Sequence, residues 1–151
     1  MGDGGGELAA VYVAAICVAC WLAALSYFDI RQRRLPNMLT LPGGALVLAG
    51  AALTGHGVTA AAGAAAMFAV YAVVHVISPK AMGGGDVKLA IGLGALTGAF
   101  GLDVWMMSAL GASVLTALLG LIRLIGGDRS PLPHGPSMCV AAAGAVAVVL
   151  I

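Results

Sequence analysis

Apolar runs separated by short polar interruptions divide the chain into six segments, about Leu8 to Phe28, Pro36 to Leu53, Val58 to Ile77, Val87 to Phe100, Val104 to Ile122 and Gly135 to Ile151. Crossing about 30 Å of hydrocarbon at about 1.5 Å per residue takes around 20 residues, and fewer where the bilayer thins or flanking groups snorkel. The pattern therefore predicts an all-α, polytopic membrane bundle of about six transmembrane helices, with the fourth and sixth short. The fourth rests on the least, because AIGLGALTGAFG is rich in glycine and only Gly101-Leu102-Asp103 divides it from the fifth. Pro42 in LTLPGGA is placed to kink the second helix near its entrance, and the two glycines behind it add freedom there.

The polar residues say which ends lie together. The interruptions at Asp29 to Leu35, Ser78 to Asp86 and Arg123 to Pro133 carry Arg31, Arg33, Arg34, Lys80, Arg123 and Arg129, with Lys88 just inside the next segment. Every basic residue then falls at one end of an up-and-down bundle. The other end holds Asp3, Glu7, the TGHG turn, Asp103 and the C-terminus. Lys and Arg favour the cytoplasmic side, so both termini are predicted outside and the three longer loops inside.

Composition agrees with this division. Of the 151 residues 62% are hydrophobic and 9% charged, where a soluble domain has about a quarter charged. A net charge of +1 leaves no basic face for nucleic acid. The opening MGDGGGE is acidic, unlike a signal peptide, so the first run is expected to remain as a span, and residues 1–151 are expected to form a single membrane domain. Stretches such as GAAAMFAV and AAAGAVAVV offer small faces for close helix packing in lipid. Cys17 and Cys20 have the spacing of a redox pair or half a zinc site, but they lie mid-run with no second pair, so they are read as packing on one face of the first helix. His56 and His75 have no ligand-type neighbours, and no metal is expected.

The chemistry rests on two acids. Asp29 closes the first segment and Asp86 opens the fourth, behind Gly83, Gly84 and Gly85, which places both at one depth on the basic side. Asp86 can be read simply as a helix cap. If the two acids meet, both cannot ionise cheaply; one keeps its proton while the other draws a proton from water, which suffices for peptide hydrolysis without a metal or covalent intermediate. The three glycines would let the backbone turn sharply or approach a substrate. Lys88 can either bias the acid pair or snorkel toward headgroups. Arg31, Arg33 and Arg34 can anchor topology or support the site, and Asn37 behind Pro36 is placed to cap or hydrogen-bond the second helix.

Three blocks, FDIRQRRLPNMLTLPG, MGGGDVKLAIGLGALTG and PLPHGPSMCVAAAG, together resemble the type IV prepilin peptidase family of membrane aspartic proteases. Asp29, Arg31, Leu35, Pro36 and Asn37 match its first block. Gly83, Gly85, Asp86, Val87, Lys88 and Leu89 match its second, and Pro133, His134, Gly135 and Pro136 stand where it has Pro-Phe-Gly-Pro. The resemblance implies that Asp29 and Asp86 are catalytic and remove a short basic leader at the cytoplasmic face of the bacterial inner membrane, while the substrate's apolar helix stays in the bilayer. It implies a prepilin or pseudopilin precursor and membrane lipid as partners, leaves self-association open, and requires no cofactor. His134 departs from the family phenylalanine. The paired-cysteine region of larger, methylating members has no counterpart here, so the chain resembles the short peptidase-only form of Flp/Tad-type systems and no methyltransferase activity is expected. Intramembrane glycyl-aspartyl proteases share the Gly-x-Gly-Asp string but pair it with Tyr-Asp inside a span, whereas Tyr27-Phe28-Asp29 ends one. The alternative from another class is a catalytically inactive scaffold or assembly component of a pilus or secretion system. A transporter fits less well, since both acids lie at one rim.

Overall fold

A computed structural model of the chain describes residues 4–80 and 82–150; Asp3 and Ile151, assigned above to the outer end, lie outside the described residues. Six α-helices and no strand occur among the described residues: α1 (Gly4–Gln32), α2 (Asn37–Leu53), α3 (Gly57–Ile77), α4 (Gly84–Ala99), α5 (Leu102–Ile125) and α6 (Gly135–Leu150). All six apolar segments are helices. At the site α1 continues past Phe28 to Gln32, so that Asp29, which closes the first segment, lies in its last turn. α1, α3 and α5 are long and apolar enough to cross a membrane, and α2 and α6 are shorter apolar helices. Large apolar side chains such as Leu46, Leu53, Val58, Val76 and Ile125 point outward, as a multi-pass membrane protein requires.

The glycine-rich fourth segment is a separate helix and the centre of the bundle. Leu89, Ala90, Leu93, Ala95 and Thr97 of α4 are buried, and α4 packs against α3 more than against any other element. Lipid supplies no hydrophobic drive between helices, so association depends on close van der Waals contact and hydrogen bonds. Small residues allow that approach: a Cβ on Gly98 would lie 2.9 Å from the Gly63 Cα and 2.8 Å from the Thr59 carbonyl oxygen. The Trp105 Nε1–H donates to the Gly63 carbonyl at 2.9 Å, tying α5 to α3, and the Trp21 Nε1–H donates to the Leu39 carbonyl at 2.9 Å, tying α1 to α2. Each such bond contributes about 0.5–1.5 kcal/mol net. The tight α4–α5 turn passes through Gly101 at φ +116, a conformation that excludes side chains at little cost only for glycine.

One expectation changes. Cys17 and Cys20 share a face of α1, but that face is exposed, so they do not pack within the chain; Cys139 is the buried cysteine. α2 runs from Asn37 to Leu53 with Pro42 inside it, near its start.

Candidate active site

The last turn of α1, the starts of α2 and α4 and the loops that follow α1, α3 and α5 line a cavity of about 460 Å³. Asp29 and Asp86 both line it. They are 7% and 8% exposed, so any solvation reaches them from this cavity.

Each carboxyl is held by one backbone N–H from a helix start. The Gly135 N–H donates to Asp29 Oδ2 at 3.0 Å. Gly135 is the first residue of α6, and Pro136 behind it lacks an N–H and presets the first helical turn. A Cβ on residue 135 would lie 2.5 Å from Asp29 Oδ2 and 3.1 Å from its Cγ, so only glycine permits this approach. Asp86, the third residue of α4, reaches back to accept from the Gly83 N–H at 3.3 Å. The cap and the cavity carboxyl are thus one residue, and each acid keeps acceptor capacity for water.

Gly83, Gly84, Gly85, Lys88, Asn37, Pro133 and His134 also line the cavity. None of the three glycines has a positive φ, so their backbone conformation is one that other residues also adopt. Gly85 lies against Leu35, where a Cβ would come within 3.3 Å of the Leu35 Cβ. The Lys88 Nζ donates to Asn37 Oδ1 at 2.9 Å and so joins α4 to α2 beside the cavity that both residues line. Asn37 makes no side-chain cap; the Pro36 carbonyl accepts from the Leu39 and Thr40 N–H groups, and Pro36 stays off the cavity wall. Pro136 lies on a neighbouring apolar groove beside Ile30 and Leu119, which Pro133 also touches.

His134 is half-buried and bonded at both ring nitrogens: Nδ1 lies 2.6 Å from Thr116 Oγ1 and Nε2 lies 3.4 Å from the Tyr71 hydroxyl. Burial pushes its pKa below the usual histidine value. Sequence reasoning singled out neither Tyr71 nor Thr116. The signal available was a phenol within the apolar run MFAVYAVV, since a buried tyrosine hydroxyl seeks a partner. Arg33, Arg34 and Lys80 complete a cationic rim around the two acids. Arg33 sits at φ 49, a left-handed cap that ends α1 and turns the chain over the cavity.

The model of the type IV leader peptidase family matches residues 16–121. The prepilin leader peptidase/N-methyltransferase of Xanthomonas campestris pv. campestris is 37% identical over 142 residues, which covers 84% of this chain and 47% of that protein. Proteins of the same name from Aeromonas salmonicida and Aeromonas hydrophila are 35% identical over 138 residues, covering 85% of this chain and 47% of each. The chain thus spans about half the length of these curated relatives. No solved structure matches. The residues matched by the family model include both acids and stop before Pro133 to Pro136.

Proposed function

The chain belongs to the type IV leader peptidase family, and we propose that it is a membrane aspartic endopeptidase that removes the leader of type IV prepilin or Flp/Tad-like pilin precursors. The observation that carries the reading is the placement of Asp29 and Asp86 on one polar cavity at the end of the bundle where the basic residues gather. That end is assigned to the cytoplasmic face of the bacterial inner membrane by its Lys and Arg, with six crossings and both termini outside. A precursor keeps its apolar helix in lipid and offers the bond beside the helix to the cavity.

The two carboxyls divide the work. Asp29, which accepts the shorter bond from a free N–H at the start of α6, suits the anion that takes a proton from water. Asp86 then polarises the scissile carbonyl and protonates the leaving nitrogen. The cationic rim stabilises negative charge developing on the tetrahedral oxygen. These residues are assigned no part in methyl transfer.

The test is cleavage of a co-expressed candidate precursor in membranes, read by mass, with wild type beside Asp29→Asn and Asp86→Asn. Leader removal by wild type alone supports the reading. Equal cleavage of a verified precursor by both variants removes the assigned site, and no cleavage by folded wild type favours an inactive scaffold.

A further inference from the structure

We propose that His134 is a positioning residue for this reaction: held by Tyr71 of α3 and Thr116 of α5, it fixes the backbone from which the Gly135 N–H reaches Asp29. The inference rests on the leader-peptidase reading for its kinetic consequences and on geometry alone for its structural ones.

The hydrogen bonds assign the ring's proton. Thr116 has one hydroxyl hydrogen, and its Oγ1 donates to the Ala112 carbonyl at 3.0 Å. It is therefore the acceptor from His134 Nδ1–H at 2.6 Å, which leaves Nε2 to accept from the Tyr71 hydroxyl at 3.4 Å. The neutral ring satisfies every donor in this chain. It also lies beside the Tyr71 ring, with centroids 5.8 Å apart. The His134 carbonyl accepts from the Met138 N–H at 3.1 Å, so both the side chain and the backbone of this residue are pinned immediately before Gly135. The loop preceding α6 consequently has its last residue anchored to two other helices at the point where it must present an N–H to a buried carboxyl.

Protonation would disturb this arrangement. An imidazolium has no acceptor, so the Tyr71 bond must reverse, and a positive charge is added where Lys80, Arg33 and Arg34 already line the cavity. Tyr71 of α3 meets the His134 ring, and the other ionisable groups on its cavity are Asp29 of α1, Arg33 and Arg34 behind α1, Lys80 behind α3, and Asp86 with Lys88 of α4. α5 contributes Thr116, which does not titrate. A phenylalanine here would keep the ring packing and lose both hydrogen bonds.

The experiment uses the purified full chain in detergent with a cleavable pilin precursor and measures kcat, KM and the pH profile for wild type, His134→Phe, His134→Gln and Thr116→Val. Hydrogen exchange at the Gly135 amide is followed in parallel. Loss of the anchor misplaces the N–H, so His134→Phe is expected to lower kcat about 10-fold with KM within about twofold, and to speed Gly135 exchange. Glutamine can donate to Thr116 and accept from Tyr71, so it restores most of the rate and, having no titrating ring, holds that rate at lower pH than wild type. Wild-type kcat and wild-type Gly135 exchange in His134→Phe overturn the proposal. Should that variant not fold, Thr116→Val decides: faster Gly135 exchange with a few-fold lower kcat supports the proposal, and wild-type values for both overturn it. If folded wild type does not cleave a verified precursor, the leader-peptidase reading fails separately, and Gly135 exchange alone judges the positioning role.

Discussion

Gly135→Ala is the most direct perturbation of the acid pair, because it adds one methyl group and removes no functional group. The new Cβ would lie 2.5 Å from Asp29 Oδ2 and 3.1 Å from Cγ. Carbon and oxygen cannot rest that close, so either the carboxyl or the start of α6 must retreat by roughly 0.5–1 Å, in an interior packed too densely to absorb the shift freely. Retreat stretches the 3.0 Å bond from the Gly135 N–H and swings the carboxyl away from the water it is assigned to activate. A misplacement of about 1 Å costs on the order of 100-fold in rate, which corresponds to roughly 2.7 kcal/mol of activation free energy. The assay is leader cleavage by purified enzyme, with kcat/KM measured alongside thermal unfolding. Gly144→Ala is the control on the same helix, since a Cβ there meets nothing within 4 Å. A folded Gly135→Ala enzyme that cleaves at the wild-type rate would refute both the role of this N–H and the assignment of Asp29.

Further outcomes follow from other contacts. Asp29→Asn and Asp86→Asn are each expected to lower cleavage by at least about 1,000-fold while the protein stays folded, because an amide keeps the shape and loses the acid chemistry; folding is checked by thermal melting. Gly94→Ala places a Cβ 2.8 Å from the Met67 Cβ and 3.0 Å from the Ala64 Cα, and overpacking of this kind costs about 1–3 kcal/mol. It should lower the melting temperature and spare the rate per folded molecule; a rate loss with unchanged melting would contradict the packing argument. Asn37→Ala and Lys88→Met should show a coupling of about 0.5–1 kcal/mol in a double-mutant cycle of unfolding free energies, and zero coupling would mean the 2.9 Å bond carries no stability. Burial lowers the His134 pKa, so the unfolded chain takes up this proton at higher pH than the folded protein. Stability from this residue is therefore full above the unfolded pKa of about 6.5 and declines as pH falls through and below it. Melting of wild type against His134→Gln between pH 8 and 5 checks the sign, and parallel curves would show that the neutral ring makes no such contribution.

The helices and the two acids were legible in the sequence for different reasons. Apolar runs give six helices because a lipid-facing helix must be apolar along nearly its whole length, and polar interruptions mark its ends. The same uniformity hides which helix is central. In water a buried helix stands out by its apolar character, whereas here α4 is central because it is small-sided, and its glycines resemble a loop when read singly. Asp29 and Asp86 were legible because a carboxyl at a membrane boundary is rare enough to require a reason. Gly83, His134 and Gly135 were named as residues of matched motifs, and the bonds by which they support the acids were not legible. The Gly135 N–H is a backbone group 106 residues from Asp29, and the Tyr71–His134–Thr116 bonds join three elements that only the packed bundle brings together. Lys88 was singled out by its closeness to Asp86 in sequence, but its bond to Asn37 on another helix, 51 residues away, could not be read there.

The placement of Asp29 explains why a block so late in the chain belongs to the site. Asp29 lies in the last turn of α1, where the unsatisfied carbonyls of a helix end disfavour an anion by about 0.3–1 kcal/mol at an exposed position and by more when partly buried. Asp86 has no such difficulty, since it sits in the first turn of α4 and its own helix supplies the N–H. Asp29 must therefore borrow a helix start from elsewhere, and α6 provides one. Pro136 fixes the first turn, Gly135 removes the side chain that would block the approach, and His134 anchors the preceding residue to α3 and α5. The asymmetry between the two carboxyls then has a structural origin: one is supported within its own helix, and the other depends on a loop that a single substitution can move. Changes in Pro133 to Pro136 should accordingly alter the chemistry assigned to Asp29 while leaving the Asp86 cap in place.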